Sequence, residues 1–301
     1  MIVLAGDIGG TKTLLQVYDS AQGQEINTLS FESSRYATFD ALLATFLESL
    51  SGSVRESIGS VCIAVAGPVY GDVDGQTARV TNLLWNLDST ALSQVFNGAP
   101  VRLINDFVAV CHGIGCLAEE DLFVLQQGKA VVHGHQVVIG AGTGLGMGQI
   151  VSHENRYQIL PAEGGHADFA PGSLLQVELL NYLLQKGERV SIESVCSGRG
   201  LFNIYSFIRD LEPDKESADL REKMKSNDPA AVITCFAKKH HDILAEKSLK
   251  LFVEVYGAVA GNYALTTLPY GGLYIAGGIA PKIIEWMRQN IFIQAFNNKN
   301  K

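Results

Sequence analysis

The chain has 301 residues, a formal net charge of −8, 47% hydrophobic residues and 18% charged residues. This length predicts two lobes, because single hydrophobic cores usually stop growing at about 250 to 300 residues. The net charge is negative and the sequence has no cluster of Lys and Arg, so neither DNA nor RNA is an expected partner.

Strands and helices alternate in the first part of the chain. The pattern predicts a strand over residues 2–6, a glycine turn, and a second strand over residues 13–18. Apolar residues at helical spacing predict a helix over residues 39–50. Further strands are predicted over residues 61–66 and 101–104, which together indicate an α/β fold.

The second part of the chain repeats the strand–glycine–strand arrangement and then becomes richer in helix. Strands are predicted on both sides of a glycine-rich turn that begins after Gly140. Helices are predicted over residues 174–185, 228–244 and 245–267, followed by a strand over residues 272–276. We therefore predict a smaller α/β lobe over residues 1–112 and a larger α/β lobe over residues 113–301.

No membrane or export segment is predicted. Residues 130–153 and 255–281 are uncharged, but glycines interrupt the first stretch and Pro269-Tyr270-Gly271-Gly272 breaks the second. The first residues lack the basic region and the apolar run of a signal peptide. The five cysteines form no CxxC pair, so we expect reduced thiols and a cytoplasmic protein.

The first glycine turn predicts a phosphate-binding loop. Glycines let backbone N–H groups approach an anion closely, and a carboxylate such as Asp7 can hold Mg²⁺ directly or through water. A strand follows this turn, whereas a helix follows the Walker and dinucleotide-binding loops. A plain hairpin turn is the alternative. The residues of this loop are Gly6, Asp7, Ile8, Gly9, Gly10, Thr11 and Lys12.

The second glycine turn, with Gly142, Thr143 and Gly144, indicates that two loops hold one nucleotide. This pair of loops resembles the superfamily of actin, heat-shock ATPases and hexokinases. The resemblance implies a two-lobed actin-like ATPase fold, related to ribonuclease H, with a cleft between the lobes. It also implies that Gly277 and Gly278 lie against the adenosine of ATP; a strand that ends in a turn is the alternative.

Three segments resemble the sugar-site motifs of bacterial-type ATP-dependent glucokinases: residues 104–107, 161–169 and 191–198. By this resemblance Asp106 matches the catalytic base, while Asn105, Glu163, His166 and Glu193 match the groups that bind the sugar hydroxyls. These residue types suit a sugar, because each hydroxyl both donates and accepts hydrogen bonds. Carboxylates accept from hydroxyls, while an amide and an imidazole can both donate and accept. Asp106 could also cap the helix after it.

The resemblance implies transfer of the γ-phosphoryl group of ATP to the 6-hydroxyl of glucose, with Mg²⁺ as cofactor and a homodimeric assembly. No zinc is expected. The related repressor-and-sugar-kinase family carries a cysteine-rich zinc motif after its sugar histidine, and residues 167–171 stand in its place here.

Glucokinases of this type continue beyond the position of Phe296 with a further strand and a closing helix, so we expect that helix to be missing from residues 1–301. This leaves open a catalytically weak or inactive glucose-binding or regulatory protein. A chaperone or filament of the actin-like ATPase class is a third hypothesis. It accounts for the glycine loops but not for the sugar-site residues.

Overall fold

The computed structural model describes residues 1–72, 74–81, 83–153, 156–187 and 189–300. The chain divides into two compact units, Met1–Ile114 and Gly115–Lys301. Each unit has its own cluster of buried apolar side chains.

The first unit is built on a mixed sheet. Its strands and helices are, in chain order, β1 (Ile2–Ile8), β2 (Lys12–Asp19), β3 (Gln24–Glu32), α1 (Phe39–Glu48), α2 (Gly52–Glu56), β4 (Ile58–Val65), β5 (Val69–Asp72), β6 (Gly75–Arg79), β7 (Asn86–Asp88), α3 (Ser89–Val95), β8 (Val101–Asn105) and α4 (Asp106–Ile114). The described strands form one sheet in the order β3-β2-β1-β4-β8 and another in the order β5-β6-β7. Strands β1, β4 and β8 run parallel, so their carboxyl ends lie at one edge, where open α/β sheets bind ligands.

Helix α1 confirms the prediction made from its apolar spacing. The five apolar side chains behind that prediction, Phe39, Leu42, Leu43, Phe46 and Leu47, are all buried. Thr38 precedes the helix, and its hydroxyl accepts a hydrogen bond from the Ala41 N–H at 3.2 Å. These side chains belong to the same buried cluster as residues of the central strands. Each such burial stabilises the fold by about 1.5 to 3 kcal/mol.

The second unit combines a four-stranded sheet with most of the helices that the structure describes. Its elements are β9 (Gln136–Ala141), β10 (Leu145–His153), β11 (Arg156–Ala162), α5 (Leu174–Leu184), α6 (Gly198–Leu211), α7 (Ala218–Met224), α8 (Pro229–Cys235), α9 (Ile243–Thr267), β12 (Gly272–Ala276), α10 (Ile284–Met287) and α11 (Ile291–Asn297). The described strands lie in the order β11-β10-β9-β12, with β12 parallel to β9. In the part of the chain that the structure describes, no helix combines the length and the hydropathy of a membrane span.

The prediction of one continuous helix over residues 228–244 is wrong. Helix α8 ends at Cys235 and passes into a π-helical turn, after which His241 adopts a left-handed conformation with φ 51°. The Asp242 carboxylate then accepts a hydrogen bond from the Ala245 N–H at 2.9 Å and begins α9. An N-terminal cap of this kind starts a new helix, so the long helix begins at Ile243.

Helix α11 lies directly against α9 because two glycines of α9 carry no side chain at the contact. A Cβ atom on Gly257 would lie 2.2 Å from the Phe292 carbonyl oxygen, and one on Gly261 would lie 2.4 Å from that of Phe296. The Lys299 ammonium group donates to the Ala258 carbonyl oxygen at 2.9 Å. The polar residues after α11 are therefore anchored to α9.

Candidate active site

Two carboxylates line one cavity in the first unit. Asp7 lies near the carboxyl end of β1, and Asp106 follows β8 as the first residue of α4. The cavity has a volume of about 460 Å³ and is also lined by Ala5, Gly6, Leu14, Gln16, Ala64, Phe107, Ala109 and Val110. The parallel arrangement of β1, β4 and β8 thus brings the predicted magnesium ligand and the predicted base to the same place.

The environment of Asp7 suits a cation. The side chain is exposed to solvent, but the surrounding protein partly desolvates it, and this desolvation raises the pKa of the Asp7 carboxyl group. A nearby cation would favour the charged form, and Mg²⁺ is commonly held by one or two carboxylates together with phosphate and water. Among the described residues, no group of three or more His, Cys, Asp and Glu side chains is arranged to hold a metal ion.

Asn105 caps the helix that carries Asp106. Its Oδ1 accepts from the Phe107 N–H at 2.9 Å and the Val108 N–H at 3.4 Å, and its Nδ2 donates to the Gly67 carbonyl oxygen at 3.3 Å. Asp106 is half-buried, and its Oδ1 also accepts from the Phe107 N–H, at 2.8 Å. Its charge thus lies at a helix N-terminus, where the helix dipole stabilises an anion. The sugar contact of Asn105 stays a prediction.

The first glycine loop is a closed turn held by a serine from outside it. The Gly9 N–H donates to the Lys12 carbonyl oxygen at 2.9 Å. Ser33 donates from its hydroxyl to the Gly9 carbonyl oxygen at 3.0 Å and from its N–H to the Thr11 carbonyl oxygen at 3.0 Å. The Ser33 and Thr13 hydroxyls are buried 3.0 Å apart. Ser33 was not predicted from the sequence, because it lies 20 positions from Thr13 along the chain.

The second glycine loop meets the predicted adenosine motif. Within the loop, the Gly142 N–H donates to the Gly144 carbonyl oxygen at 2.8 Å. The Gly142 carbonyl oxygen accepts from the N–H of Gly198, the first residue of α6, at 2.8 Å. Gly277 has φ 82°, and a Cβ atom there would lie 2.4 Å from the Ala141 carbonyl oxygen. Two glycine motifs and a helix N-terminus therefore converge at this place.

The three predicted sugar ligands of the second unit lie on adjoining segments. Glu163 precedes a short 3₁₀ turn that ends at His166, and the Glu163 Oε2 and His166 Nε2 atoms are 3.7 Å apart on exposed side chains. The Ile192 N–H donates to the Ala167 carbonyl oxygen at 2.8 Å, which joins the two segments. Glu193 follows, and its Oε2 accepts from the Leu145 N–H at 2.9 Å. The structure therefore places Glu193 at the end of the second glycine loop, and Glu163 and His166 on the segment joined to that of Glu193.

Comparisons with known proteins show similarity to glucokinases over nearly the whole chain. Residues 4–301 match the family model described as Glucokinase. The chain is 43% identical over 313 residues to the glucokinase of Nostoc punctiforme, covering 100% of this chain and 91% of the relative. It is 34% identical over 298 residues to the glucokinase of Salmonella heidelberg, covering 99% of this chain and 88% of that relative. The crystal structure of a glucokinase from an Antarctic psychrotroph matches with a TM-score of 0.81 at 26% identity, covering 99% of this chain and 89% of that one.

This similarity confirms the prediction of an α/β protein with the two-domain actin-like ATPase fold. The fold and the comparisons define a hexose kinase, which is a phosphotransferase. The chain belongs to the glucokinase family. The comparisons support the kinase and not the hypothesis of a sugar-binding protein with little or no catalysis.

Proposed function

We propose that the chain transfers the γ-phosphoryl group of ATP to the 6-hydroxyl of glucose and releases glucose 6-phosphate and ADP. The observation that carries this proposal is the pair of carboxylates, Asp7 and Asp106, in one cavity at the carboxyl ends of parallel strands. Membership of the glucokinase family supports the choice of substrate.

Asp106 is the proposed general base. It accepts the proton of the sugar 6-hydroxyl as that oxygen attacks the γ-phosphorus in line with the departing ADP. A positioned base contributes about 10² to 10⁴ in rate. Phosphoryl transfer needs alignment and charge neutralisation more than covalent help from the protein, so we assign the remaining acceleration to the groups that bind the two substrates.

The remaining predicted residues hold the substrates. Glu163 and Glu193 accept hydrogen bonds from sugar hydroxyls, while Asn105 and His166 both donate and accept. For the nucleotide, residues 6–12 and 142–144 offer backbone N–H groups to the phosphates, and Gly277 and Gly278 lie against the adenosine. Asp7 would hold Mg²⁺, which neutralises phosphate charge. Residues 1–112 thus supply the first phosphate loop, the base and Asn105, and residues 113–301 supply the second phosphate loop, the sugar-site glutamates and histidine, and the adenosine motif.

Family resemblance extends the proposal to a homodimer in the cytoplasm. The proposed reaction itself is tested by a coupled assay, in which glucose 6-phosphate formed from glucose and MgATP is oxidised and followed as reduced nicotinamide cofactor. Turnover that depends on both substrates is the expected result. A folded chain that binds glucose but gives no turnover would contradict the proposal.

Exchange of Asp7 for asparagine should separate function from stability. We expect kcat/KM for MgATP to fall by about 10- to 100-fold or more, because the carboxylate that would hold Mg²⁺, directly or through water, is lost. The Asp7 pKa is raised in the folded chain, so near neutral pH the ionised group opposes folding, and this cost disappears as pH falls through the raised pKa. Asp7→Asn removes the charge, so the Tm without nucleotide should stay equal or rise. A lower Tm with unchanged kcat/KM for MgATP would instead make Asp7 a structural residue.

The two glycines of the proposed adenosine site should respond differently to alanine. A Cβ atom on Gly278 meets no heavy atom within 4 Å, so Gly278→Ala should keep the Tm of the wild type. The same methyl group occupies the space proposed for the nucleotide, so KM for ATP should rise by about 10-fold or more. Gly277→Ala should lower Tm as well, because φ 82° and the Ala141 backbone exclude a side chain. Unchanged KM in Gly278→Ala would remove Gly278 from the proposed site.

A further inference from the structure

Glu193 is tied to the second glycine loop and to the start of α6. Its Oε2 accepts from the N–H of Leu145, the residue directly after Gly144, at 2.9 Å. Its carbonyl oxygen accepts from the Ser197 hydroxyl at 2.7 Å, and that hydroxyl caps α6 by accepting from the Gly200 N–H at 3.0 Å. One residue therefore fixes both the loop and the helix end that contacts it.

Gly144 makes room for this carboxylate. A Cβ atom on Gly144 would lie 2.6 Å from the Glu193 Oε2 atom. Real Cβ atoms do not come so close to a neighbour, so any side chain at position 144 would displace the carboxylate from the Leu145 N–H. The absence of a side chain at Gly144 thus serves the Glu193 contact in addition to any approach of a phosphate.

The second carboxylate oxygen faces a different neighbour. Oε1 lies 3.8 Å from an Nη2 atom of Arg199, a distance at which the two groups attract but do not form a hydrogen bond. The Glu193 side chain is 21% exposed. Its Oε1 is accordingly the oxygen that we assign to a sugar hydroxyl.

We propose that Glu193 is a positioning residue for the second glycine loop as well as a sugar ligand, and that it couples the binding of glucose and nucleotide. This inference rests on the proposed function. A sugar hydroxyl that donates to Oε1 holds the carboxylate in the rotamer in which Oε2 accepts from the Leu145 N–H. The loop is then already ordered when the nucleotide binds, and by linkage the nucleotide favours the sugar equally.

Glu163 provides the matched control. It is a carboxylate of the same proposed sugar site, but its side chain is 85% exposed and lies beside His166, with Oε2 and Nε2 3.7 Å apart. A variant at Glu163 should therefore weaken glucose binding without changing the order of the glycine loop.

The experiment is calorimetric titration of the non-hydrolysable analogue AMPPNP with Mg²⁺, first without glucose. Glu193→Ala should bind AMPPNP about 10-fold more weakly than wild type, because the loop loses its acceptor. Glu193→Gln should bind nearly as tightly as wild type, because its amide oxygen still accepts from the Leu145 N–H. Glu163→Gln should match wild type. At saturating glucose, wild type and Glu163→Gln should both bind AMPPNP about 5-fold more tightly or better.

Gly144→Ala should also separate the carboxylate from the Leu145 N–H, but with the Glu193 side chain intact. It should weaken AMPPNP binding as Glu193→Ala does, and the double variant should be no weaker than either single one. Wild-type affinity in Glu193→Ala, or strictly additive losses, would overturn the inference while leaving the kinase proposal standing. A wild-type chain that binds neither glucose nor AMPPNP would overturn the proposed function and the inference with it.

Discussion

Replacing Asp106 by asparagine is expected to lower kcat by about 10² to 10⁴, because an amide cannot accept the proton of the sugar 6-hydroxyl. The amide oxygen can still accept from the Phe107 N–H, which Asp106 contacts at 2.8 Å, so the start of α4 should persist. Since the change removes an interaction of the transition state, the KM values for glucose and ATP should move by only a few-fold. Steady-state kinetics with each substrate varied in turn measures both quantities.

Asp88 offers a matched control for this variant. It is another carboxylate at a helix N-terminus of the first unit, and its Oδ1 accepts from the Thr90 and Ala91 N–H groups at 2.8 and 3.0 Å. Asparagine caps helices about as well as aspartate, so Asp88→Asn should keep both kcat and Tm. An Asp106→Asn enzyme with kcat within a few-fold of wild type would remove Asp106 from the role of base.

The substitution with the largest expected effect on stability is Gly257→Ala. A glycine within a helix usually costs about 0.5 to 1 kcal/mol relative to alanine, so alanine would ordinarily stabilise α9. Here the new methyl group would lie 2.2 Å from the Phe292 carbonyl oxygen, a backbone atom of α11. We therefore expect the opposite sign, a loss of about 2 to 4 kcal/mol in the free energy of unfolding and a fall in Tm of about 5 to 15 °C.

Gly113→Ala isolates the packing effect, because Gly113 also lies in a helix and a Cβ atom there meets no heavy atom within 4 Å. This variant should leave Tm unchanged or raise it slightly. Scanning calorimetry of the two variants beside wild type makes the comparison. Equal Tm values for both variants would show that α11 moves away from α9 at negligible cost.

Local patterns in the sequence predicted the elements whose formation depends on near neighbours. Helix α1 follows from five apolar residues at helical spacing, all of which are buried. Strand β12 was predicted with the bounds that the structure has, Gly272–Ala276. Both glycine turns were predicted between two strands, as observed. In each case the period of the apolar residues and the position of glycine carry enough information.

Helix α6 was missed although its sequence contains the usual indications. Ser197 is its N-terminal cap, and Leu201, Ile204, Tyr205 and Ile208 are buried at helical spacing. Residues 191–198 were assigned to a sugar-site motif, and the helical pattern that begins at their end was not followed further. The break at His241 was harder to find, because the competing cap at Asp242 lies inside a continuous helical pattern.

Long-range contacts of the candidate site could not be predicted from the sequence. The Ser33 hydroxyl reaches Gly9, 24 residues away, and the Glu193 carboxylate reaches Leu145, 48 residues away. No local pattern specifies either contact, because both depend on how the segments are placed in the fold. The family motifs predicted which residues form the site, whereas the contacts that hold those residues in place are visible only in the folded structure.

Transfer of the γ-phosphoryl group to glucose can be observed by ³¹P NMR of the purified chain with glucose and MgATP, because the spectrum identifies the product as well as the turnover. We expect the ATP resonances to decline while those of ADP and glucose 6-phosphate grow in equal amounts, and we expect Asp106→Asn nearly to abolish this change. Release of inorganic phosphate without glucose 6-phosphate, or an unchanged spectrum from a folded chain, would contradict it.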